Sequence, residues 1–362
     1  MKKLLKIVET IRPTFDEGGK LGLFKPVFEA LENFLFSPST TTLTAPHVRD
    51  PLDIKRVMSM VIIALVPSIL AAVYFFGLRF FVMVIVTYAA GLSVEAIFAI
   101  VRKESINEGF FVTGFLFPLI MPPNIPLWMV ALGVMFGVFI GKELFGGSGR
   151  NVFNPALVGR CFLGLAYAPK MSESWLSAGS GMTGRIFEYA SASSVDAVSS
   201  ATPLALAKQG ELVSLSHMFL GSVSGSAGET SAIAIIIGGL FLLFTRVANW
   251  RTVVSILGSF ALLGGILHYA RPETVAPVIW HLCAGGLLFG AFFMATDPVT
   301  SPTTNAGKWL YGIVIGSVTV LIRNFTGYVE GVTFAILLGN IVAPILDEIV
   351  FALRLRRLRS EG

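Results

Sequence analysis

Residues 57–76 read VMSMVIIALVPSILAAVYFF, and residues 81–101 read FVMVIVTYAAGLSVEAIFAIV. The first stretch carries no formal charge and the second carries one, Glu95. Each has about the 20 residues that a helix needs to cross roughly 30 Å of hydrocarbon. Working outward, the same pattern recurs along the chain. It predicts ten spans, at about 57–76, 81–101, 109–122, 126–145, 151–168, 231–249, 252–270, 279–296, 308–326 and 331–352. Composition agrees. Of 362 residues, 54% are hydrophobic and 14% charged, where soluble domains carry about 25% charged residues. The mean hydropathy is +0.77. The expected fold is therefore an all-α integral membrane protein embedded in lipid.

Around the spans the chain divides into a polar, basic N-terminal segment (1–56), a first group of five helices (57–168), a long loop (169–230), a second group of five (231–352) and a basic tail (353–362). No cleavable signal is expected ahead of the spans. Residues 24–36, FKPVFEALENFLF, have the apolar spacing of a helix lying on a membrane surface. Twenty of the 27 Lys and Arg fall on one side of the ten-span scheme: those of 1–56, Arg102, Lys103, Lys142, Arg150, Arg246, Arg251, Lys308 and the tail. Six fall on the other, and Arg160 lies within a span. The positive-inside bias puts both termini in the cytoplasm and the 169–230 loop outside. The net charge of +5 does not indicate nucleic acid, because the basic residues sit at helix ends and termini.

The halves resemble one another. A shift of 181 residues superposes Asn124 on Asn305, Trp128 on Trp309, Lys142 on Arg323, Phe153 on Phe334 and Leu157 on Leu338. Five helices per half is an odd number, so the repeats are expected to be inverted in the membrane. Folds of that kind place their site at the repeat interface, near short or broken helices. The third span, with Pro118 and Pro122-Pro123, and the eighth, ending Met294-Ala-Thr-Asp297-Pro298, are the candidates.

Chemistry-bearing residues are few. Cys161 and Cys283 lie in apolar spans without a ligand spacing, and the four histidines are scattered. Asp196-Ala-Val-Ser-Ser-Ala-Thr202-Pro203 lies in the longest polar interruption of the chain. Small neighbours (Ser199, Ser200, Ala201) would let a modifying enzyme reach the Thr202 hydroxyl, and Pro203 bars Thr202 from a helical conformation. An ordinary Ser-rich loop is the alternative. Gly225-Ser-Ala-Gly-Glu-Thr230 precedes the sixth span. Its backbone N–H groups could cradle an anion or a ring edge, or it could be a cap turn with Thr230 or Ser231 as N-cap. Asn151 and Asn154 flank the start of the fifth span, where asparagines are ordinarily caps. Glu95 is a carboxylate at membrane depth, a functional candidate by default.

Gly18-Gly19-Lys20, His47-Val-Arg-Asp50, Asn107-Glu-Gly-Phe-Phe111, Lys142-Glu-Leu-Phe-Gly-Gly-Ser-Gly-Arg-Asn151, Asn154-Pro-Ala156 and Met294-Ala-Thr-Asp-Pro298 occur in one order. Together they resemble the family of the B subunit of the sodium-translocating NADH:quinone reductase, over about residues 12–352. The family also takes in the D subunit of the Rnf ferredoxin:NAD complex. The resemblance implies FMN joined through its phosphate to the last threonine of D-x-x-[ST]-[GS]-A-T. That threonine is Thr202 here, and a separate flavin transferase would load it. It places Gly225, Ser226, Gly228 and Glu229 beside that flavin. It places Asn151 and Asn154 near a second, non-covalent flavin, riboflavin, where Asp297 could join them. It links Gly91 to quinone, although Leu92 stands where the family often has a second glycine, and it links Glu95 and Asp347 to the sodium pathway. It implies a six-subunit complex in the bacterial inner membrane with the Thr202 loop periplasmic, and no NADH site on this chain. An Rnf-type subunit shares the cofactor with a different partner. A solute channel or transporter would fit the inverted architecture equally well.

Overall fold

The computed structural model describes residues 2–15, 54–103, 109–179, 201–326 and 331–361, with residues 22, 25, 28, 186 and 328 singly between them. The described residues form helices and turns and no β-strand. Six helices are long and apolar enough to cross a membrane: Arg56–Phe76, Arg79–Arg102, Leu127–Phe145, Trp250–Ala270, Asn305–Phe325 and Val332–Ser360. Three further apolar helices, Gly109–Leu119, Pro155–Ala166 and Ala232–Phe244, have 11, 12 and 13 residues. At about 1.5 Å per residue they reach only about 16–20 Å, so the third, fifth and sixth spans are shorter than their apolar sequence.

In chain order the helices are α1 (Lys2–Phe15), α2 (Ile54–Phe76), α3 (Arg79–Arg102), α4 (Gly109–Leu119), α5 (Leu127–Gly141), α6 (Pro155–Ala166), α7 (Ala168–Glu173), α8 (Pro203–Lys208), α9 (Leu215–Leu220), α10 (Ala232–Phe244), α11 (Trp250–Ala270), α12 (Val278–Cys283), α13 (Leu287–Phe289), α14 (Asn305–Phe325) and α15 (Val332–Glu361). The eighth span is broken as its sequence suggests. It is α12, a turn at Ala284–Gly286, then α13 running into a π-turn at Gly290–Met294 that Ala295 N closes on the Gly290 carbonyl at 2.8 Å. Helix α1 lies in the segment read from the sequence as polar and basic. Apart from residues 25 and 28, the surface helix expected over 24–36 lies outside the described residues.

Packing repeats between the halves. In the first half, α3 packs on α5, α5 on α6, α2 on α4, α3 on α4 and α4 on α6. In the second, α11 packs on α14, α14 on α15, α10 on the broken span, α11 on that span, and that span on α15. The second set of pairings is the first with corresponding helices exchanged. Contacts between the halves pair α2 with α10 and α6 with α15, each helix with its own counterpart. An approximate two-fold relation brings equivalent elements together in this way.

Small residues let the backbones close up, because lipid tails offer no hydrophobic drive between helices. Gly133, Gly137 and Gly141 line the face of α5 that meets α6, where a side chain on Gly137 would strike the Pro155 carbonyl. Gly312 and Gly316 of α14 lie against Ser255 and Ser259 of α11, whose hydroxyls donate to the carbonyls of Trp309 (2.5 Å) and Gly312 (3.2 Å). Between the halves, Gly238 of α10 leaves no room for a Cβ against the Ala64 carbonyl of α2.

Gly238→Ala is therefore expected to destabilise the protein in detergent by about 1–3 kcal/mol, the usual cost of overpacking. Gly164→Ala, where an added Cβ meets nothing within 4 Å, is expected to be neutral or slightly stabilising. Thermal unfolding of the two variants side by side checks the packing of the halves.

Candidate functional site

A shallow cleft opens between two walls that come from opposite halves. One wall is the Gly225–Thr230 turn; the other is Cys283, Ala284 and Gly285 at the break of the eighth span. Thr202, Pro203 and Leu204, at the start of α8, close the third side.

Thr202 is extended (φ −71°, ψ 155°) and half-buried, as its position before Pro203 requires. Its hydroxyl accepts from Ala205 N at 3.4 Å, which makes it the N-cap of α8. Helix α8 rests on a small apolar core of Leu204, Met218, Trp280 and Ala284. Trp280 donates its ring N–H to the Val213 carbonyl at 2.9 Å. The Lys208 ammonium donates to the carbonyls of Thr326 (2.8 Å) and Tyr328 (2.9 Å), which ties α8 to the end of α14. The described part of the 169–230 loop is thus built on α7, α8 and α9 and packed onto the helices. Asp196, Ser199 and Ser200 lie outside the described residues; Ala201 is exposed beside Thr202.

The Gly225–Thr230 turn is docked on the first half. Ala227 N donates to the Met121 carbonyl (3.1 Å) and Gly228 N to the Leu119 carbonyl (2.7 Å), at the end of the short α4. Glu229 N turns back on the Ser226 carbonyl at 3.1 Å. These three N–H groups are committed to carbonyls, so what the turn presents to the cleft comes mainly from its side chains. Gly228 sits so close to Leu119 that no Cβ would fit. Ser231 accepts from Ala234 N at 3.4 Å and caps α10, as the cap reading of this turn expects.

Beneath the turn lies a buried charge cluster. Arg160 of α6 pairs with Glu229 Oε1 at 2.9 Å and donates to Ser226 Oγ at 3.2 Å. Arg323 of α14 donates to the carbonyls of His281 (2.7 Å) and Ala284 (2.9 Å). Arg160, Glu229 and Arg323 are each no more than 6% exposed. The two consecutive glycines of the break make room for the cluster: Gly285, at φ +65°, faces Arg323, and Gly286 faces the Glu229 carboxylate. Glu229 Oε2, Thr230 Oγ1 and both ring nitrogens of His281 are buried without a hydrogen-bond partner. An orphaned buried acceptor costs about 1–3 kcal/mol, so this corner is polar beyond its own needs.

A second polar cluster gathers around the ends of α3 and α5. Lys142 pairs with Glu95, both buried. Arg102 pairs with the neighbouring Glu143 at 2.9 Å and also donates to its carbonyl. The chain then turns through Gly146, Gly147 and Gly149, all at positive φ, which only glycine adopts without strain. Four residues before Glu95, Gly91 lies tight against Phe110 and Val134.

The remaining expected residues are engaged locally. Asn154 accepts from Ala156 N at 3.0 Å and caps α6, with Pro155 at the first helical position. Asn151 accepts from Gly149 N (3.2 Å) and donates to the Phe153 carbonyl (3.1 Å). Asp297 accepts from Val299 N at 3.0 Å. No hydrogen bond joins Asp297 to either asparagine. Asp347 accepts four, from the N–H and hydroxyl of Thr303 (2.7 and 2.8 Å) and of Thr304 (3.0 and 2.5 Å), and so clamps the turn that opens α14. Among the described residues no three His, Cys, Asp or Glu side chains gather as a metal-binding group.

The family model described as NQR2, RnfD, RnfE matches residues 41–354. The chain belongs to that family. It is 39% identical to the B subunit of the Na(+)-translocating NADH-quinone reductase of Azotobacter vinelandii, with 97% of each chain covered. It is 38% identical to the protein of that name from Klebsiella pneumoniae, with 99% of this chain and 100% of the relative covered. A relative from Pseudomonas aeruginosa, of the same name, is 37% identical with 99% and 100% covered.

Set against this family membership, the structure joins Thr202 to Gly225, Ser226 and Glu229 across more than twenty residues of chain. Glu95 and Gly91 share one stretch of α3. Sequence reading passes over Arg160, Lys142, Arg323 and His281 as site residues. The signal for Arg160 is present, as a charge inside an apolar span. Arg323 and Lys142 stand out in the sequence only as a pair that superposes between the repeats.

Asn154→Ala is expected to cost about 0.5–2 kcal/mol of stability through loss of the helix cap, and Asn154→Asp, which keeps a capping oxygen, is expected to cost little. Thermal unfolding of the two variants in detergent checks the capping role.

Proposed function

We propose that this chain is the flavin-carrying membrane subunit of a sodium-translocating NADH:quinone reductase. One observation carries the reading: Thr202, whose hydroxyl is the expected attachment point, lines one cleft with the distant Gly225–Thr230 turn. Near full-length similarity to proteins named as the B subunit of that enzyme supports this reading over an Rnf-type subunit.

The cleft suits FMN attached through its phosphate to Thr202. It has a hydroxyl at its edge and polar side chains along one wall. When bound, the flavin supplies the electron chemistry, and the protein supplies position and field. Thr202 fixes one end, held by the α8 cap and the apolar core beneath it. The two walls restrict where the rest can lie. The excess of Lys and Arg on the other side puts this cleft on the outer face, with both termini inside the bacterial cell.

An outer flavin is separated from an inner quinone by about 30 Å of hydrocarbon. A second carrier near Asn151, Asn154 and Asp297 would bridge that gap, with riboflavin the candidate. Quinone would dock near Gly91, and sodium would use Glu95 and Asp347. Glu95 is already paired with Lys142, so a cation reaching it must displace that ammonium. The chain would act within a six-subunit complex, with its flavin added by a flavin transferase.

Expressed with its transferase, the protein is expected to give a band that fluoresces under ultraviolet light on a denaturing gel, and Thr202→Ala to give a dark one. Mass spectrometry of the peptide spanning 186–246 should place the mass of FMN on Thr202. A dark wild-type band overturns the reading and favours a channel or transporter. A second measurement addresses the inner site. Asn154→Asp keeps the cap but lacks the amide donor, so it should lower the riboflavin content of the purified complex while leaving its thermal stability unchanged.

A further inference from the structure

The Asp347 carboxylate of α15 lies against the turn that opens α14, and its surroundings are those of an anchor. An ionised carboxylate offers about four lone-pair sites. Four donors take them up, two on each oxygen: Thr303 N and Oγ1 on Oδ2, and Thr304 N and Oγ1 on Oδ1. Thr304 is itself the N-cap of α14, its hydroxyl accepting from Gly307 N at 3.1 Å. The carboxylate therefore stands at the positive end of a helix of 21 residues, a place that favours an anion and disfavours a cation. Space is equally tight, since a Cβ on Gly307 would come within 2.6 Å of Thr304 Oγ1 and 2.7 Å of Asp347 Oδ1. A sodium ion would find neither an unused lone pair nor a favourable field at this point.

The clamp reaches further than its own contacts. Thr303 and Thr304 end the segment that leads back to Asp297. Pro298 and Pro302 fix φ at two positions of that segment. Its other end is closed by hydrogen bonds from Val299 N to Asp297 Oδ1 (3.0 Å) and from Ser301 N to the Asp297 carbonyl (3.1 Å). A stiff segment held at one end by Asp347 sets where Asp297 stands at the other. We propose that Asp347 is a positioning residue: it holds the 297–304 turn, and through it Asp297, and it does not touch the ion. This rests on the reading above, in which Asp297 belongs to the riboflavin site, and it makes the part of Asp347 in sodium passage an indirect one.

The test uses the purified complex, co-expressed with the transferase. Three quantities are read: the sodium concentration that half-activates quinone reduction, the maximal rate, and the riboflavin released by acid per complex. Asp347→Asn sets an amide N–H where the carboxylate accepts, and so breaks the clamp. Gly307→Ala wedges the clamp open and Thr303→Val removes one donor, both with the carboxylate intact. Asp347→Asn and Gly307→Ala should each lower riboflavin content and maximal rate together, several-fold, with Thr303→Val following in the same direction by less. The half-activating sodium concentration should stay close to the wild-type value in all three, the split expected when binding of the ion is untouched. Thr303→Ser, which keeps the hydroxyl, should match the wild type throughout, and the Thr202 band on a denaturing gel should keep its fluorescence in every variant. If Asp347→Asn does not assemble, the two variants that keep the carboxylate decide. A raised half-activating sodium concentration in Asp347→Asn overturns the proposal, because the carboxylate then meets the ion. So does wild-type behaviour of both Gly307→Ala and Thr303→Val, or a loss of rate at full riboflavin content, since the turn then does not act through Asp297. A wild-type complex that releases no riboflavin overturns the underlying reading as well, so the two failures are told apart.

Discussion

Backbone that leaves helical geometry inside a membrane must find its hydrogen bonds within the protein, because lipid supplies none. That constraint acts hardest at the break of the eighth span, where the chain turns through Ala284, Gly285 and Gly286. Arg323 meets it by donating from two nitrogens of one guanidinium to the carbonyls of His281 and Ala284. Arginine suits this task better than lysine, since its planar fork reaches two acceptors at once. The first half solves the same problem in the same way. After α4, the chain breaks at Pro122-Pro123, and Arg79 donates to the Ile125 carbonyl at 2.7 Å. The Gly225–Thr230 turn completes the repair by giving two of its own N–H groups to the end of α4. The cleft therefore exists because two broken spans had to be stitched, and the stitches became its walls.

Much of this was legible in the sequence. The ten apolar segments, the breaks in the third and eighth and the relation between the halves all follow from hydropathy, proline placement and residue correspondence. What periodicity could not show was length. Residues 151–154 and 245–249 fall within the expected spans but lie outside the helices: Asn154 and Asn249 cap the helices that follow, and Arg246 sits at φ +59°. Hydropathy counts side chains and is blind to capping.

The site was half legible. Thr202 and the glycine turn were marked by local pattern, and each is local in origin: a proline that forces an extended threonine, and glycines that allow close approach. The buried arginines were not marked, because their meaning depends on partners far along the chain. Arg160 meets Glu229 across 69 residues, and Arg323 meets His281 across 42. Read singly, a charge in an apolar run says only that something must neutralise it. The pairing of Lys142 with Arg323 by the repeat is a correspondence of sequence position and is silent about role. Lys142 neutralises a carboxylate, while Arg323 satisfies two carbonyls.

That asymmetry has a mechanical consequence. One wall of the cleft belongs to the first half through α4 and α6, and the other belongs to the second through α12 and α14. Glu229 touches both, since it is bonded to Arg160 and packed on Gly286. A displacement of one half against the other would therefore change the cleft width and the charge behind it in the same motion. Coupling between distant sites requires an element whose two arrangements each site favours differently. A carboxylate shared between the halves, with one oxygen bonded and the other left over, is the part of this fold placed to register such a displacement. An apolar contact at the same point would register only a change in packing.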